Sequence, residues 1–243
     1  MKTPRMRLDQ LLCERGLAAT REKAKALILA GQVTVNAQRS DKAGKEIDLD
    51  AAIEVAAPPP YVSRGGHKLA KALDHWAIDP AGWICLDIGS STGGFTDCLL
   101  QRGAARVYAF DVGTNQMDWK LRNDPRVVLR ENTNARNLQP ADVAETSRLA
   151  VCDVSFISVT IILPALPPLL CEDGGLVVLV KPQFEVGREQ VGKGGIVRDG
   201  QLHQQAIDRV ATAARALGYR TDWIDSPILG AEGNKEFLLY ARH

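Results

Sequence analysis

Lys68, Asp153, Lys181 and Glu236 are the residues of this sequence best placed for chemistry, and three segments far apart in the chain show why. Cys85-Leu86-Asp87-Ile88 closes on the turn Gly89-Ser90-Ser91-Thr92-Gly93-Gly94, followed by Phe95 and Thr96. Val151-Cys152 ends on Asp153, and Val177-Val178-Leu179-Val180 ends on Lys181. Buried parallel strands deliver functional groups to the carboxyl edge of a sheet in this way. A cofactor cradle, a carboxylate and an amine on one edge imply group transfer. Ser63-Arg64-Gly65-Gly66-His67-Lys68 adds a second amine, and Asn234-Lys235-Glu236-Phe237 adds a second acid. Singly, each is better explained as half of a structural ion pair; as a set at strand ends they read as catalytic.

The glycine turn admits more than one ligand. Glycines let a backbone approach a ligand closely, and N–H groups at the start of the following helix face it. The spacing is not G-x-G-x-x-G, which disfavours nicotinamide and flavin. Asp111 closes the next strand, where a carboxylate can accept both hydroxyls of a ribose. Turn plus acid suit an adenosyl cofactor, S-adenosylmethionine included. The turn also satisfies G-x-S-x-G, with Ser91 as nucleophile and Asp153 and His203 following in hydrolase order. Gly187 to Lys193 matches G-x-x-x-x-G-K, but Gly194 stands where a magnesium-binding hydroxyl is needed. Gly192, Gly194 and Gly195 then read as a substrate loop or a plain surface loop.

The elements that must position these groups follow from periodicity. Strands are expected at 83–88, 106–110, 127–129, 149–152, 176–180, 220–224 and 237–240, with helices between them, notably 95–102 and 201–217. That alternation implies a doubly wound, Rossmann-like α/β sheet. Ala56-Ala57-Pro58-Pro59-Pro60 is a stiff spacer. Ahead of it, Leu8, Leu11 and Leu12 imply a short helix, Thr20 caps a second helix over 21–30 that Gly31 ends, and Val33–Asn36 and Ile53–Val55 alternate as strands. The domains expected are therefore 1–57, a linker at 58–62, and 63–243.

The 243 residues have a net charge of only +1, but residues 1–45 carry ten Lys or Arg against four acids. Such asymmetry points to nucleic acid or to a solvated basic face. The five cysteines form no C-x-x-C pair, and the four histidines show no metal spacing. Neither disulfides nor a metal are expected, and the compartment reads as reducing and cytoplasmic. No signal peptide or membrane span is expected; the longest apolar candidate, Val159 to Cys171, carries three prolines.

Arg7-Leu8-Asp9-Gln10-Leu11-Leu12, Thr20-Arg21-Glu22-Lys23-Ala24 and Gly31-Gln32-Val33-Thr34-Val35-Asn36 together resemble the small RNA-binding domain of the ribosomal protein S4 family. On that resemblance Arg7, Arg15, Arg21, Lys23 and Lys25 are the cations expected to meet RNA phosphates. The order Lys68, Asp153, Lys181, Glu236 resembles the FtsJ-type ribose 2′-O-methyltransferases. The whole chain, with its S-R-G-G-H-K, G-S-S-T-G-G-F-T, C-D-V-S-F-I-S and V-K-P-Q-F-E segments, resembles the hemolysin A (TlyA) family of rRNA methyltransferases.

This resemblance implies S-adenosylmethionine as cofactor, ribosomal RNA or ribosomal subunits as partner, and a ribose 2′-hydroxyl, of cytidine, as the methyl acceptor. Gly89, Ser91, Gly93, Gly94, Phe95, Thr96, Asp111 and Asn134 are the expected cofactor residues. Asn134 stands near the adenine position, where an acid is the commoner residue. The chemistry agrees. A ribose hydroxyl is a poor nucleophile, and a lysine takes its proton only where burial and nearby positive charge favour the neutral amine. A serine hydrolase using Ser91 and a non-catalytic RNA-binding or membrane-active protein remain the alternatives.

Overall fold

The computed structural model describes residues 4–57, 59–230 and 232–243; Met1 to Thr3 and Pro58 of the expected spacer lie outside the described residues. The chain divides into two compact units, Met1–Pro60 and Tyr61–His243.

The first unit contains β1 (Arg5–Arg7), α1 (Leu8–Glu14), α2 (Arg21–Leu29), β2 (Val33–Val35), β3 (Gln38–Arg39), β4 (Glu46–Asp48) and β5 (Ile53–Val55). Thr20 is extended and its Oγ1 accepts from Lys23 N at 3.2 Å, which starts α2. Gly31, at φ 69°, ends it. β2 pairs antiparallel with β3 and β5, whereas β1 pairs with β4. Periodicity did not reveal β1, β3 or β4, because none of them holds more than one apolar residue to alternate. Leu8, Leu11 and Leu12 of α1, Ala24 and Ile28 of α2, Val33 and Ile47 form the core.

The second unit contains α3 (Gly65–His75), β6 (Ile84–Ile88), α4 (Gly94–Gln101), β7 (Arg106–Phe110), α5 (Trp119–Arg122), β8 (Val127–Arg130), β9 (Ser147–Cys152), β10 (Leu170–Val180), α6 (Pro182–Glu185), α7 (Gly200–Ala216), β11 (Arg220–Asp225) and β12 (Phe237–Arg242). Seven strands form one sheet in the order β11-β12-β10-β9-β6-β7-β8, and β12 runs against both its neighbours. Successive strand residues face opposite layers. Leu86, Ile88, Val178 and Val180 pack with Ala206, Ile207 and Val210 of α7. Cys85, Val107, Val177 and Leu179 pack with Leu69 and Leu73 of α3 and Phe95 and Leu99 of α4. Each such large side chain, fully buried, contributes about 2 kcal/mol of transfer free energy. Between β9 and β10, Pro164, Pro167 and Pro168 break the connection into short 3-10 turns rather than a helix. No helix of the described residues is long and apolar enough to cross a membrane.

Candidate active site

β6 and β9 are neighbours, yet the chain winds from β6 to β7 and β8 on one side and from β9 to β10 on the other. Such a reversal opens a crevice beyond the carboxyl ends of the two strands. Two hollows meet there, of about 210 Å³ and about 520 Å³, sharing Gly89, Ser91, Asp153 and Ser155.

Lys68, Asp153 and Lys181 all line the smaller hollow. Lys68, in the first turn of α3, donates to Glu236 Oε2 at 2.6 Å, and both side chains are buried. Glu236 is not itself a wall of the hollow and reaches it through Lys68. Lys181, directly after β10, lies 2.6 Å from Asp153 Oδ1 and donates to Ser155 Oγ at 2.7 Å. Burying an ion pair costs desolvation that its own attraction barely offsets. Two of them at one sheet edge therefore point to chemistry rather than to stability.

The glycine turn brings β6 and β9 into contact. Gly89 adopts φ 81°, and a Cβ there would run into the carbonyl oxygen of Asp153. Ser91 N donates to Asp111 Oδ2 and Gly113 N to Asp111 Oδ1, both at 2.7 Å. Each carboxylate oxygen keeps a second acceptor direction for a ribose hydroxyl. Gly94 and Phe95 line the smaller hollow, and Asp111 and Asn134 the larger.

Two of the expected cofactor residues turn inward instead. A Cβ on Gly93 would meet Leu121 of α5, so this glycine serves packing. Thr96 is fully buried, and its hydroxyl donates to Asp87 Oδ2 at 2.6 Å. Asp87 is also fully buried; desolvation first, then the Asp153 and Asp111 charges, push its carboxyl up to about 7. Asn134 uses its Oδ1 to accept from Arg136 N at 3.1 Å, leaving its amide N–H groups for a base edge.

Ser91, Asp153 and His203 form no relay. Ser91 Oγ donates to Gln116 Oε1 at 3.1 Å, Asp153 is taken by Lys181, and His203 Nε2 meets the Val197 carbonyl at 2.9 Å. The glycine stretch after Gly192 is pinned by buried Asn234, which accepts from Val197 N at 2.9 Å and donates to Gly195 O at 2.8 Å. Among the described residues no cluster of potential metal ligands occurs.

Phe156 is the feature that sequence reasoning missed. It lies in the C-D-V-S-F-I-S segment, at φ 67° and 91% exposed, lining the larger hollow beside Phe184. A bulky residue in the left-handed region is a genuine outlier, and such strain concentrates at functional sites. No local sequence signal marks it.

In the amino-terminal unit, Arg7 and Arg21 both clamp the buried carboxylate of Asp9, with contacts of 3.0 to 3.1 Å. The Arg7 hydrogen bond, aided by Arg21, holds Asp9 down at about 2 against its desolvation. Arg15 donates to the Ala51 carbonyl at 2.7 Å and also to that of Leu49. Lys23 and Lys25 stand exposed on α2. The three arginines thus have structural partners while their side chains still reach the surface.

Residues 61–243 match the FtsJ-like methyltransferase model and residues 6–53 the S4 domain model. The chain is 47% identical to a 16S/23S rRNA (cytidine-2′-O)-methyltransferase, TlyA, of Mycobacterium tuberculosis, covering 98% of this chain and 90% of that one. It is 45% identical to Hemolysin A of Brachyspira hyodysenteriae over 97% of this chain and 99% of the other. A solved structure of a hemolysin-named protein from Streptococcus thermophilus superposes with TM-score 0.75 at 46% identity, covering 99% of this chain and 89% of that one. An S-adenosylmethionine-dependent methyltransferase from Mesorhizobium loti shares the fold, with TM-score 0.53 at 12% identity over 71% of this chain and 96% of that one. With two lysine–carboxylate pairs beside a glycine turn at the switch point of its sheet, and an S4 domain ahead of it, the chain belongs to the FtsJ-like methyltransferase family.

Proposed function

We propose that this protein methylates the 2′-hydroxyl of a cytidine in ribosomal RNA, using S-adenosylmethionine. The observation that carries the proposal is the convergence of Lys181–Asp153 and Lys68–Glu236 on the hollow walled by the glycine turn. The names of the relatives support the acceptor, since the Mycobacterium tuberculosis protein is a cytidine-2′-O-methyltransferase.

The residues present fit the cofactor. The larger hollow, at about 520 Å³, falls within the usual size of a small-molecule site. Gly89 lines both hollows, Asp111 offers acceptors for ribose hydroxyls, and the buried Ser90 hydroxyl has no partner among the described residues. When bound, S-adenosylmethionine supplies an electrophilic sulfonium methyl group.

Lys181 is the base: it takes the 2′-hydroxyl proton as the oxygen attacks. Asp153 holds its amine, and Lys68, steadied by Glu236, places a positive charge on the same hollow. That charge stabilises the developing alkoxide. Phe156 offers an exposed ring at the rim, the kind of surface on which an unstacked base rests. The cations of the amino-terminal unit supply phosphate contacts.

The test is transfer of a tritiated methyl group to purified rRNA and to each ribosomal subunit, followed by digestion to nucleosides. Label in 2′-O-methylcytidine is expected. Label on a base, or no transfer to any of these substrates, overturns the proposal.

A further inference from the structure

We infer that Ser155 is a positioning residue for methyl transfer, fixing the direction in which Lys181 presents its lone pair. The inference rests on Lys181 acting as the base. A neutral lysine amine is tetrahedral at nitrogen, with the bond to Cε, two N–H bonds and one lone pair. Ser155 Oγ accepts a directed hydrogen bond from this nitrogen at 2.7 Å, and Asp153 Oδ1, paired with it by charge at 2.6 Å, draws a second N–H. One acceptor alone would fix a single N–H and leave the lone pair two positions to choose between. The second acceptor removes that choice.

Lys181, Asp153 and Ser155 are all walls of the same hollow of about 210 Å³, so the direction left over belongs to the site. When the substrate O–H bond breaks and the new N–H bond forms, the proton occupies that remaining position. The two N–H bonds already held need not move. Alignment of this kind supplies much of the rate in a positioned reaction.

Ser155 is not on a loose segment. Before it, Asp153 N donates to Ile88 O at 2.9 Å, tying the segment to the end of β6. After it, buried Glu185 of α6 accepts from Ser158 Oγ at 2.5 Å and from Val159 N at 2.7 Å. The Glu185 carbonyl in turn accepts from Arg209 of α7 at 2.6 Å. Between these ties Phe156 adopts φ 67°, a conformation that persists only where surroundings impose it. The strained turn therefore seats Ser155 as well as the aromatic ring.

In the full chain, Ser155→Ala should lower kcat roughly tenfold while KM for rRNA and calorimetric affinity for S-adenosylmethionine stay unchanged. Ser155→Thr, which keeps the hydroxyl, should recover most of that loss. Wild-type kcat in Ser155→Ala overturns the inference. So does a loss of cofactor affinity in step with kcat, or a Thr variant no better than Ala, since either marks a structural role. Lys181→Ala keeps the two ideas apart. An active Lys181→Ala removes the base, whereas an inactive Lys181→Ala beside a fully active Ser155→Ala removes only the part given to Ser155.

Discussion

Lys181, just after β10, and Asp87, within β6, belong to strands of one sheet separated by β9, and their surroundings set them different tasks. Lys181 lines the hollow, hydrogen-bonded to Ser155 and ion-paired with Asp153, so its deletion should strike the chemical step alone. Lys181→Ala is expected to cut methyl transfer by at least about 100-fold, the usual worth of a general base, with cofactor affinity nearly intact. Tritium transfer and calorimetry on the same preparation check both halves. Asp87 is fully buried, and its carboxyl is pushed from 3.8 in the unfolded chain up to about 7 in the folded one. Between those values the native state binds more protons than the unfolded chain, so stability falls as pH rises. The contribution is complete below about pH 4 and lost above about pH 7, a span on the order of 4 kcal/mol. Asp87→Asn, which can still accept from Thr96, should flatten urea midpoints measured between pH 5 and pH 8.

At the scale of elements, the site is made by where β6 ends rather than by any single side chain. The Gly89 turn must let β6 and β9 approach until the Asp153 carbonyl oxygen takes the space that a Gly89 Cβ would need. The residue must also hold φ 81°, which L-residues with a Cβ rarely adopt. Gly89→Ala is therefore expected to separate the two strand ends and weaken S-adenosylmethionine binding at least about tenfold, the effect of a displacement near 1 Å on a positioned group. Calorimetry measures this directly, and a circular dichroism spectrum matching wild type would place the damage in the turn. Glu185 plays the complementary part on the other side, holding the segment after β9 through Ser158 and Val159. Its own carboxyl is raised by burial and held partly down by those two donors.

At the scale of the molecule, charge is divided unevenly between two compact units. Residues 1–45 carry ten of the 30 Lys and Arg, on a unit whose core is separate from that of the sheet. Phosphate contacts release counterions, so RNA affinity resting on this unit must fall steeply with salt. Deleting residues 1–57 should weaken rRNA binding and flatten its dependence on salt, with cofactor binding by the remainder unchanged. Filter binding across a salt series reads the slope. An unchanged slope in the truncated protein would place the RNA anchor in the sheet unit instead. The two arginines clamped on Asp9 keep this unit folded as well as charged. Asp9, held at about 2, stabilises above its unfolded value near 3.8 and loses that contribution as pH falls toward 2.

The positions of the strand ends were legible in the sequence by itself. Apolar runs closing on Gly89, Asp153 and Lys181 are local patterns, and strand periodicity and turn chemistry are local physics. The seven strands of the sheet, the capped helix after Thr20 and the order of the four charged residues followed from that. Partner choice did not. Lys68 meets Glu236 across 168 positions of chain because α3 and the start of β12 come together in three dimensions, and no spacing encodes that distance. The sequence also allowed Asp153 to pair with His203 as a lesser alternative; strand order, which puts β10 beside β9, gave it to Lys181. Thr96 turning to Asp87, Arg7 and Arg21 converging on Asp9, and the strained backbone of Phe156 were decided in the same way. Each depends on which surfaces are buried against one another, and burial is a property of the packed chain rather than of any segment of it.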